Sequence, residues 1–305
     1  VSLEDVKTET EWVGLLNLDK PPGKTSRDVV NQVARLLPRK VKAGHAGTLD
    51  PLAVGVLVVC VGSATRLIEN VQRMGKTYRT TIRLGARSDT HDRDGAIVET
   101  SNPSVPTLEE IDQALESQRG KILQQPPEHS ALKVAGRRAY DLARAGLPVE
   151  LAARPVRVDR IEILSYSWPW LELEIDCGSG TYIRSIARDL GNALGCGALM
   201  ETLVRTRIGR FPRECAIAPD QLTRENLADH LRPALEAVAD LPRIALDDSL
   251  LADIQQGKAL AAPRLPGVAI PPGEVALVTE SGRLAALGEG DPRQGVVRPR
   301  KVLVV

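Results

Sequence analysis

GHAGTLDPLAVGVL, residues 44–57, joins a polar, glycine-bearing loop to an apolar run that must go inside, and it places one carboxylate, Asp50, at the junction. Gly44 and Gly47 free the backbone for a tight path beside a ligand. Pro51 drives Asp50 toward an extended conformation and stops any helix there. Val54 to Val61, VGVLVVCV, is β-branched and apolar almost throughout, which predicts a buried strand. Asp50 therefore stands just ahead of a buried strand, on a loop shared with His45 and Thr48. A carboxylate held rigidly and partly desolvated in such a place suits a nucleophile or general base. Standing alone, these residues favour the other reading, a plain turn or helix cap made by the Asp.

Upstream of that loop, residues 1–12 form an acidic lead and Val13 to Leu18 reads as a strand. Asp19-Lys-Pro-Pro-Gly-Lys24 is a stiff turn presenting Lys20 and Lys24. Ser26 is placed to cap a helix to about Leu37, with Val29, Val30, Val33, Leu36 and Leu37 on one face. Downstream, a short helix is expected over 65–71, and KTYRTTIRL (76–84) is a strand carrying Tyr78 between Lys76 and Arg79. The loop GARSDTHDRDG (85–95) has an acidic cluster, but Thr90 and Ser101 occupy the first and twelfth ligand positions of a calcium loop, which excludes an EF-hand. A strand at 96–99 would close a hairpin.

Thr107 to Glu110 is a capping box that opens a helix to about Gln118. Residues 120–155 read as a basic inserted lobe with Lys133, Arg137, Arg138 and Arg144. Strands over 156–165 and 171–177 form a pair. GSGTYIR (178–184) enters a helix to about Leu194, with Tyr182 and Arg184 exposed in its first turn and an anion site at its start. Leu203 to Phe211 is a further strand. Acidic helices are expected at roughly 220–240. From Ile244 onward, short apolar runs between Gly and Pro turns predict a β-rich domain of about 60 residues, near the lower limit for folding alone and so packed on the larger domain.

The 305 residues are 43% hydrophobic and 26% charged, ordinary for a globular protein, and only 3% are Phe, Trp or Tyr. No apolar run approaches the roughly 18 residues of a membrane span. The acidic start has no secretory h-region. Cys60, Cys177, Cys196 and Cys215 form no CxxC and no metal spacing, so they are expected to be reduced core thiols of a cytosolic protein. The net charge of +1 conceals an uneven distribution: 13 Lys and Arg stand against three acids from Lys20 to Arg87, and three against nine from Glu214 to Asp253. A basic segment wrapped around a lone carboxylate points to a polyanionic partner; a merely solvated surface is the alternative.

The blocks LLNLDKPPGKTS (15–26), GHAGTLDPLAVGVL (44–57), KTYRTTIRLGARSDTHDRDG (76–95), SALK (130–133) and GTYIRSIARDLG (180–191), in this order, closely resemble the bacterial tRNA pseudouridine-55 synthase family, which isomerises uridine-55 in the T-loop of tRNA. The resemblance spans nearly the whole chain. It implies an α+β catalytic domain at 13–240, a mixed, largely antiparallel central sheet flanked by helices, followed at 241–305 by a small β-rich RNA-binding module of the PUA type. It implies that Asp50 is the essential catalytic residue, that Tyr78, Tyr182 and Arg184 belong to the site, and that Leu203 lines the uracil pocket. His129 stands where the family often has an aromatic, and Ser179 where many members have Lys; both departures bear on RNA contacts.

Pseudouridine formation breaks the N1–C1′ bond, turns the uracil and rejoins it through C5. Nothing is oxidised or added, so no cofactor or metal is required, in keeping with a sequence that has no dinucleotide glycine motif, P-loop or metal cluster. The carboxylate could attack C1′, attack C6 of the uracil, or take a ribose proton; the residues leave all three open. Arg184 would keep Asp50 ionised and aimed. Tyr78 would stack on the uracil and assist removal of the C5 proton. Tyr182 would pack beneath the sugar or base. The buried target base must be flipped out, at a cost of a few kcal/mol, and His45 would fill the vacated stack. Lys20, Lys133 and the arginines of the basic lobe would hold phosphates, so binding should weaken steeply with salt. Three other readings compete: an RNA-binding or RNA-folding module without catalysis, a guide-RNA-dependent synthase within a multi-protein particle, and a glycosidase using Asp50 with Asp92 or Asp94. The expected partner is the T-stem-loop of tRNA, met by a monomer in the cytoplasm, away from membranes.

Overall fold

The computed structural model describes residues 12–128, 133–134, 137–138, 151–265 and 267–303. Its frame is a nine-stranded mixed sheet. The strands are β1 (Gly14–Lys20), β2 (Ala43–His45), β3 (Val54–Val61), β4 (Lys76–Leu84), β7 (Gly120–Gln124), β10 (Arg154–Ser167), β11 (Trp170–Cys177), β12 (Ala198–Ile208) and β13 (Phe211–Pro212). They run in the order β1-β3-β12-β4-β11-β10-β7, with β2 on β3 and β13 on β12. Only β3 and β12 are parallel neighbours; the rest pair antiparallel. The chain is thus α+β, as expected.

The unbroken apolar run of β3 has a physical reason: it is covered on both faces. Leu57, Val59 and Val61 pack with Val29, Val30 and Val33 of helix α1 (Ser26–Leu36), while Val56, Val58 and Cys60 face a second core with Phe211 and Ile208. Thr25, not Ser26, caps α1, in a capping box with Asp28. Ser26 is turned inward, where its Oγ donates to Leu49 O at 3.2 Å and accepts from Leu49 N at 2.8 Å. The start of α1 is thereby tied to the residue preceding Asp50. At Gly55, φ is +103°, and a Cβ there would lie 2.2 Å from Arg205 O on β12. Only glycine lets the two parallel strands close just past the Asp50 loop.

A 3₁₀ turn (Gly62–Leu67) leads into helix α2 (Ile68–Arg73). The strand expected at 96–99 is β6 (Ile97–Glu99), and it closes its hairpin on β5 (Ala86–Ser88). Thr107 and Glu110 form the predicted capping box at the start of helix α3 (Leu108–Glu116). Helix α4 (Ile183–Ala193) lays Ile183, Ile186, Ala187 and Leu190 on a core with Ile82, Leu173, Ile175 and Leu203 of the sheet.

Two further expectations are corrected. Residues 120–124 are not part of an inserted lobe; they pair with β10 at the edge of the large sheet, so any excursion begins after Gln124. Within it, β8 (Lys133–Val134) and β9 (Arg137–Arg138) pair, and His129, the first three residues of SALK and Arg144 lie outside the described residues. Residues 220–240 contain no α-helix, only 3₁₀ turns at Pro219–Gln221, Leu227–His230 and Ala234–Val238. Pro233, within the stretch, interrupts the helical ladder there.

The C-terminal segment forms a five-stranded sheet ordered β14 (Arg243–Leu246), β16 (Gly273–Thr279), β17 (Leu284–Asp291), β18 (Val296–Val302) and β15 (Leu260–Ala261), with helix α5 (Asp248–Gln255). Ile244, Leu250, Ile254, Val275 and Leu277 make its own core. Ala276, Val278, Leu284 and Leu287 instead join Val58, Ile208, Phe211 and Val238. The small sheet therefore completes its burial against the large one, as its size requires.

Candidate active site

Asp50 ends the loop that Ser26 ties down, immediately before Pro51. Its Oδ2 lies 3.0 Å from Arg184 Nε. The other edge of the guanidinium faces away from the cleft: Nη1 is 3.4 Å from Asp92 Oδ2 and donates to Thr90 O at 3.2 Å. Arg184 is only 6% exposed, so the expectation of an exposed first-turn arginine is corrected. It sits on the buried face of α4, clamped between two carboxylates. A planar guanidinium can serve two carboxylates along two edges, which a lysine cannot.

Asp92 comes from the GARSDTHDRDG loop, whose role the residues alone left unassigned. Asp92 Oδ1 accepts from Thr90 Oγ1 at 2.6 Å and from the Asp94 amide at 3.1 Å. Backbone bonds from Met200 N to His91 O and from Arg93 N to Met200 O fasten the loop to β12. Asp92 is 4% exposed and does not line the cleft. It is committed to Arg184, and Asp94 does not line the cleft either, so neither partner of a two-carboxylate glycosidase is in place.

Asp50 opens onto a cleft of about 260 Å³. Tyr78, Tyr182, Leu203 and Arg184 all line it, so the structure brings together five of the residues singled out in the sequence. Tyr182 is the N-cap residue of α4, and its backbone exchanges hydrogen bonds with the Gln124 side chain. Lys76 and Tyr78 on β4, and Leu203 and Arg205 on β12, share one face by their two-residue spacing, and Tyr78 is directly opposite Arg205. Together they make the floor. Burial pushes the Tyr78 hydroxyl above its usual range, so it is neutral.

The Asp50 side chain keeps 33% of its surface exposed, toward the cleft, and is otherwise enclosed by protein. Burial raises its pKa, Arg184 opposes that rise, and the nearby Asp92 adds to it. The result is a carboxylate more basic than one in water, aimed by a fixed guanidinium.

Lys20 is a correction. It is wholly buried rather than presented by its turn, and its Nζ donates to Pro21 O, Lys24 O and Pro51 O at 2.9, 2.7 and 3.2 Å. It ties the Pro-Pro-Gly turn to the carbonyl next to Asp50 and cannot reach a phosphate at the surface. Burial lowers its pKa to about 8. His45 lies on β2 opposite Val59, half-buried and outside the cleft lining. Lys133 lies on β8 opposite Arg138.

Arg205 was missed as a site residue. It is 1% exposed, and its guanidinium donates to Val56 O at 2.7 Å, Gly47 O at 3.1 Å and Thr48 O at 3.3 Å. It holds both ends of the Asp50 loop from below. The signal was present in the alternation of Leu203-Val-Arg-Thr-Arg207, which puts Arg205 on the inward side with Leu203. Among the described residues, no group of three or more His, Cys, Asp or Glu is placed to hold a metal ion.

Comparison with known proteins agrees with this geometry. Residues 35–183 match the model of the TruB family pseudouridylate synthase N-terminal domain, and residues 184–243 match that of the tRNA pseudouridylate synthase B C-terminal domain. The chain is 41% identical over 302 residues to tRNA pseudouridine synthase B of Heliobacterium modesticaldum, covering 96% of each. It is 42% identical over 286 residues to that of Mycobacterium bovis, covering 90% of this chain and 91% of the relative. A chain in the crystal structure of a Cbf5-Nop10-Gar1 complex superposes with a TM-score of 0.71 at 30% identity, covering 97% of this chain and 86% of that one. One in an H/ACA RNP bound to a substrate RNA containing 2′-deoxyuridine does so at 0.71 and 28%, covering 99% and 88%. The fold is that of a pseudouridine synthase. The chain belongs to the TruB family.

Proposed function

We propose that the protein isomerises uridine-55 in the T-loop of tRNA to pseudouridine, working alone, as a monomer, in the cytoplasm. The observation that carries this reading is the Asp50–Arg184 pair, 3.0 Å apart, opening on a cleft floored by Tyr78 and Leu203. A flipped uridine entering that cleft meets a ring to stack on, a leucine wall and an oriented carboxylate at the sugar. Two relatives at 41–42% identity over most of their length carry the name tRNA pseudouridine synthase B, which supports tRNA as the substrate. No described helix is long and apolar enough to cross a membrane.

Asp50→Asn tests the reading. On a T-stem-loop transcript, the variant should lose pseudouridine formation by on the order of 10⁴-fold or more while still binding the RNA. Conversion at the wild-type rate would overturn the assignment. The resemblance to chains from Cbf5 complexes keeps a second reading in view, in which a guide RNA and partner proteins present the substrate. Turnover of plain transcript by the purified chain alone excludes it; turnover only with added partners would establish it.

A further inference from the structure

The floor of the cleft carries two cations whose hydrogen-bond partners are all neutral. Lys76 is 8% exposed, and its Nζ donates to Gln72 O at 2.5 Å and Met74 O at 2.7 Å, at the C-terminal end of α2. An ammonium has three donors, so one remains for the cleft that Lys76 lines. Arg205 is held by three backbone carbonyls and hydrogen-bonds the neutral Tyr78 hydroxyl. Among the described residues, neither forms an ion pair. The elements packed around Lys76 offer it no counter-charge: Arg205 on β12 is a like charge, and the Cys177 thiol on β11 is pushed up to about 11 by burial and is neutral. Across the cleft, Asp50 is already paired with Arg184.

Two desolvated like charges side by side are costly. Burial, with Arg205 adding to it, lowers Lys76 to about 8. Such an arrangement persists where an anion is received. A backbone phosphate would be met at the rim, in water, but these groups lie at the base of the cleft with Tyr78 and Leu203. The anion they await therefore belongs to the base.

Resting on the reading of this cleft as a pseudouridine synthase site, we propose that Lys76, backed by Arg205, is a further catalytic residue that stabilises the negative charge developing on the uracil ring. When the N1–C1′ bond breaks, its electron pair stays on the uracil, delocalised over N1, O2 and O4. The Lys76 ammonium donates to a ring carbonyl oxygen and Arg205 adds its field from behind. After the ring turns, C5 returns an electron pair to C1′, and the C5 proton is lost as N1 gains one. Atoms and charge balance with no added reagent.

The test compares wild type and Lys76→Met in steady-state conversion of a T-stem-loop transcript between pH 6 and 9.5, alongside RNA affinity as a function of salt. The expected result is a kcat lowered by about 10²–10³-fold in the variant, the scale of losing one oxyanion donor, with KM and salt slope unchanged. Wild-type kcat/KM, which reports the free enzyme, should fall above pH about 8, and the variant should lack that limb. Wild-type kcat in Lys76→Met overturns the proposal, as does an alkaline limb that persists unchanged in the variant, which then belongs to another group. A raised KM with a shallower salt slope and normal kcat makes Lys76 a phosphate contact and also overturns it. Should Lys76→Met fail to fold, the wild-type profile decides: a flat kcat/KM through pH 9.5 overturns the proposal. A wild type that makes no pseudouridine at all refutes the functional reading instead.

Discussion

Around β4, the large sheet presents opposite electrostatic designs on its two faces. On the outer face, Arg79, Glu174, Arg160, Glu162 and Asp176 form a ladder across three strands: Arg79 Nε lies 2.9 Å from Glu174, and Arg160 reaches Asp176 at 2.8 Å as well as Glu174 and Glu162. Every charge there has an opposite within reach, and hydrogen bonds from Arg79 and Arg160 hold Glu174 below the usual carboxylate range. On the inner face, β4 and β12 carry Lys76, Tyr78, Leu203 and Arg205, whose cations meet only carbonyls and a hydroxyl. The difference teaches that charge balance here follows task rather than composition. The wet face cancels its charges and gains little from them, while the dry face leaves an imbalance a substrate can fill.

The sharpest way to break that comparison is Arg184→Met, which leaves Asp50 and Asp92 facing each other with no cation between them. Breaking a buried pair costs about 3–5 kcal/mol, so urea denaturation should show a large loss, and conversion should vanish. A variant within 1 kcal/mol of wild type, on the order of a surface pair, would mean that the two carboxylates do not depend on this guanidinium.

Lys20→Met comes next. It strands three carbonyls around the Pro51 peptide and should cost about 1–3 kcal/mol, while the salt slope of RNA binding stays put because Lys20 touches no phosphate. A slope reduced by one phosphate contact would restore the sequence-based expectation. The sign of the pH effect follows from Lys20 and Lys76, each lowered from 10.5 to about 8 in the fold by burial. Between those values the unfolded chain holds more protons than the folded one, so stability contributed by these groups rises as pH climbs from about 8 toward 10.5. Lys20→Met should flatten that rise.

The smallest effect is expected on the outer face. Glu174→Gln should change stability by less than about 1 kcal/mol and leave turnover unchanged. A larger loss, or any effect on conversion, would show that the ladder is coupled to the cleft behind it.

Much of this was legible along the chain. VGVLVVCV and KTYRTTIRL occupy the strands read from them, because local β-propensity and burial agree there. The capping box at Thr107 forms as spelled. Reading failed where side-chain direction depends on distant packing. Lys20 looked like a presented cation, yet the carbonyl of Pro51, 31 residues away, draws it inside. Arg184 looked exposed until the loop bearing Asp92 closed over it. Residues 220–240 had helical composition, but Pro233 cuts them into turns whose apolar residues fill the seams around β1 and the C-terminal sheet.

The amino-acid sequence by itself determined the class of fold, the position of Asp50 ahead of a buried strand and the family to which the chain belongs, because these rest on local pattern and on the order of short blocks. Only the tertiary structure decided which cations line the cleft, which are mere clamps and which second carboxylate steadies Arg184. Those outcomes turn on desolvation and on hydrogen bonds between residues tens to more than a hundred positions apart, and no local period encodes them.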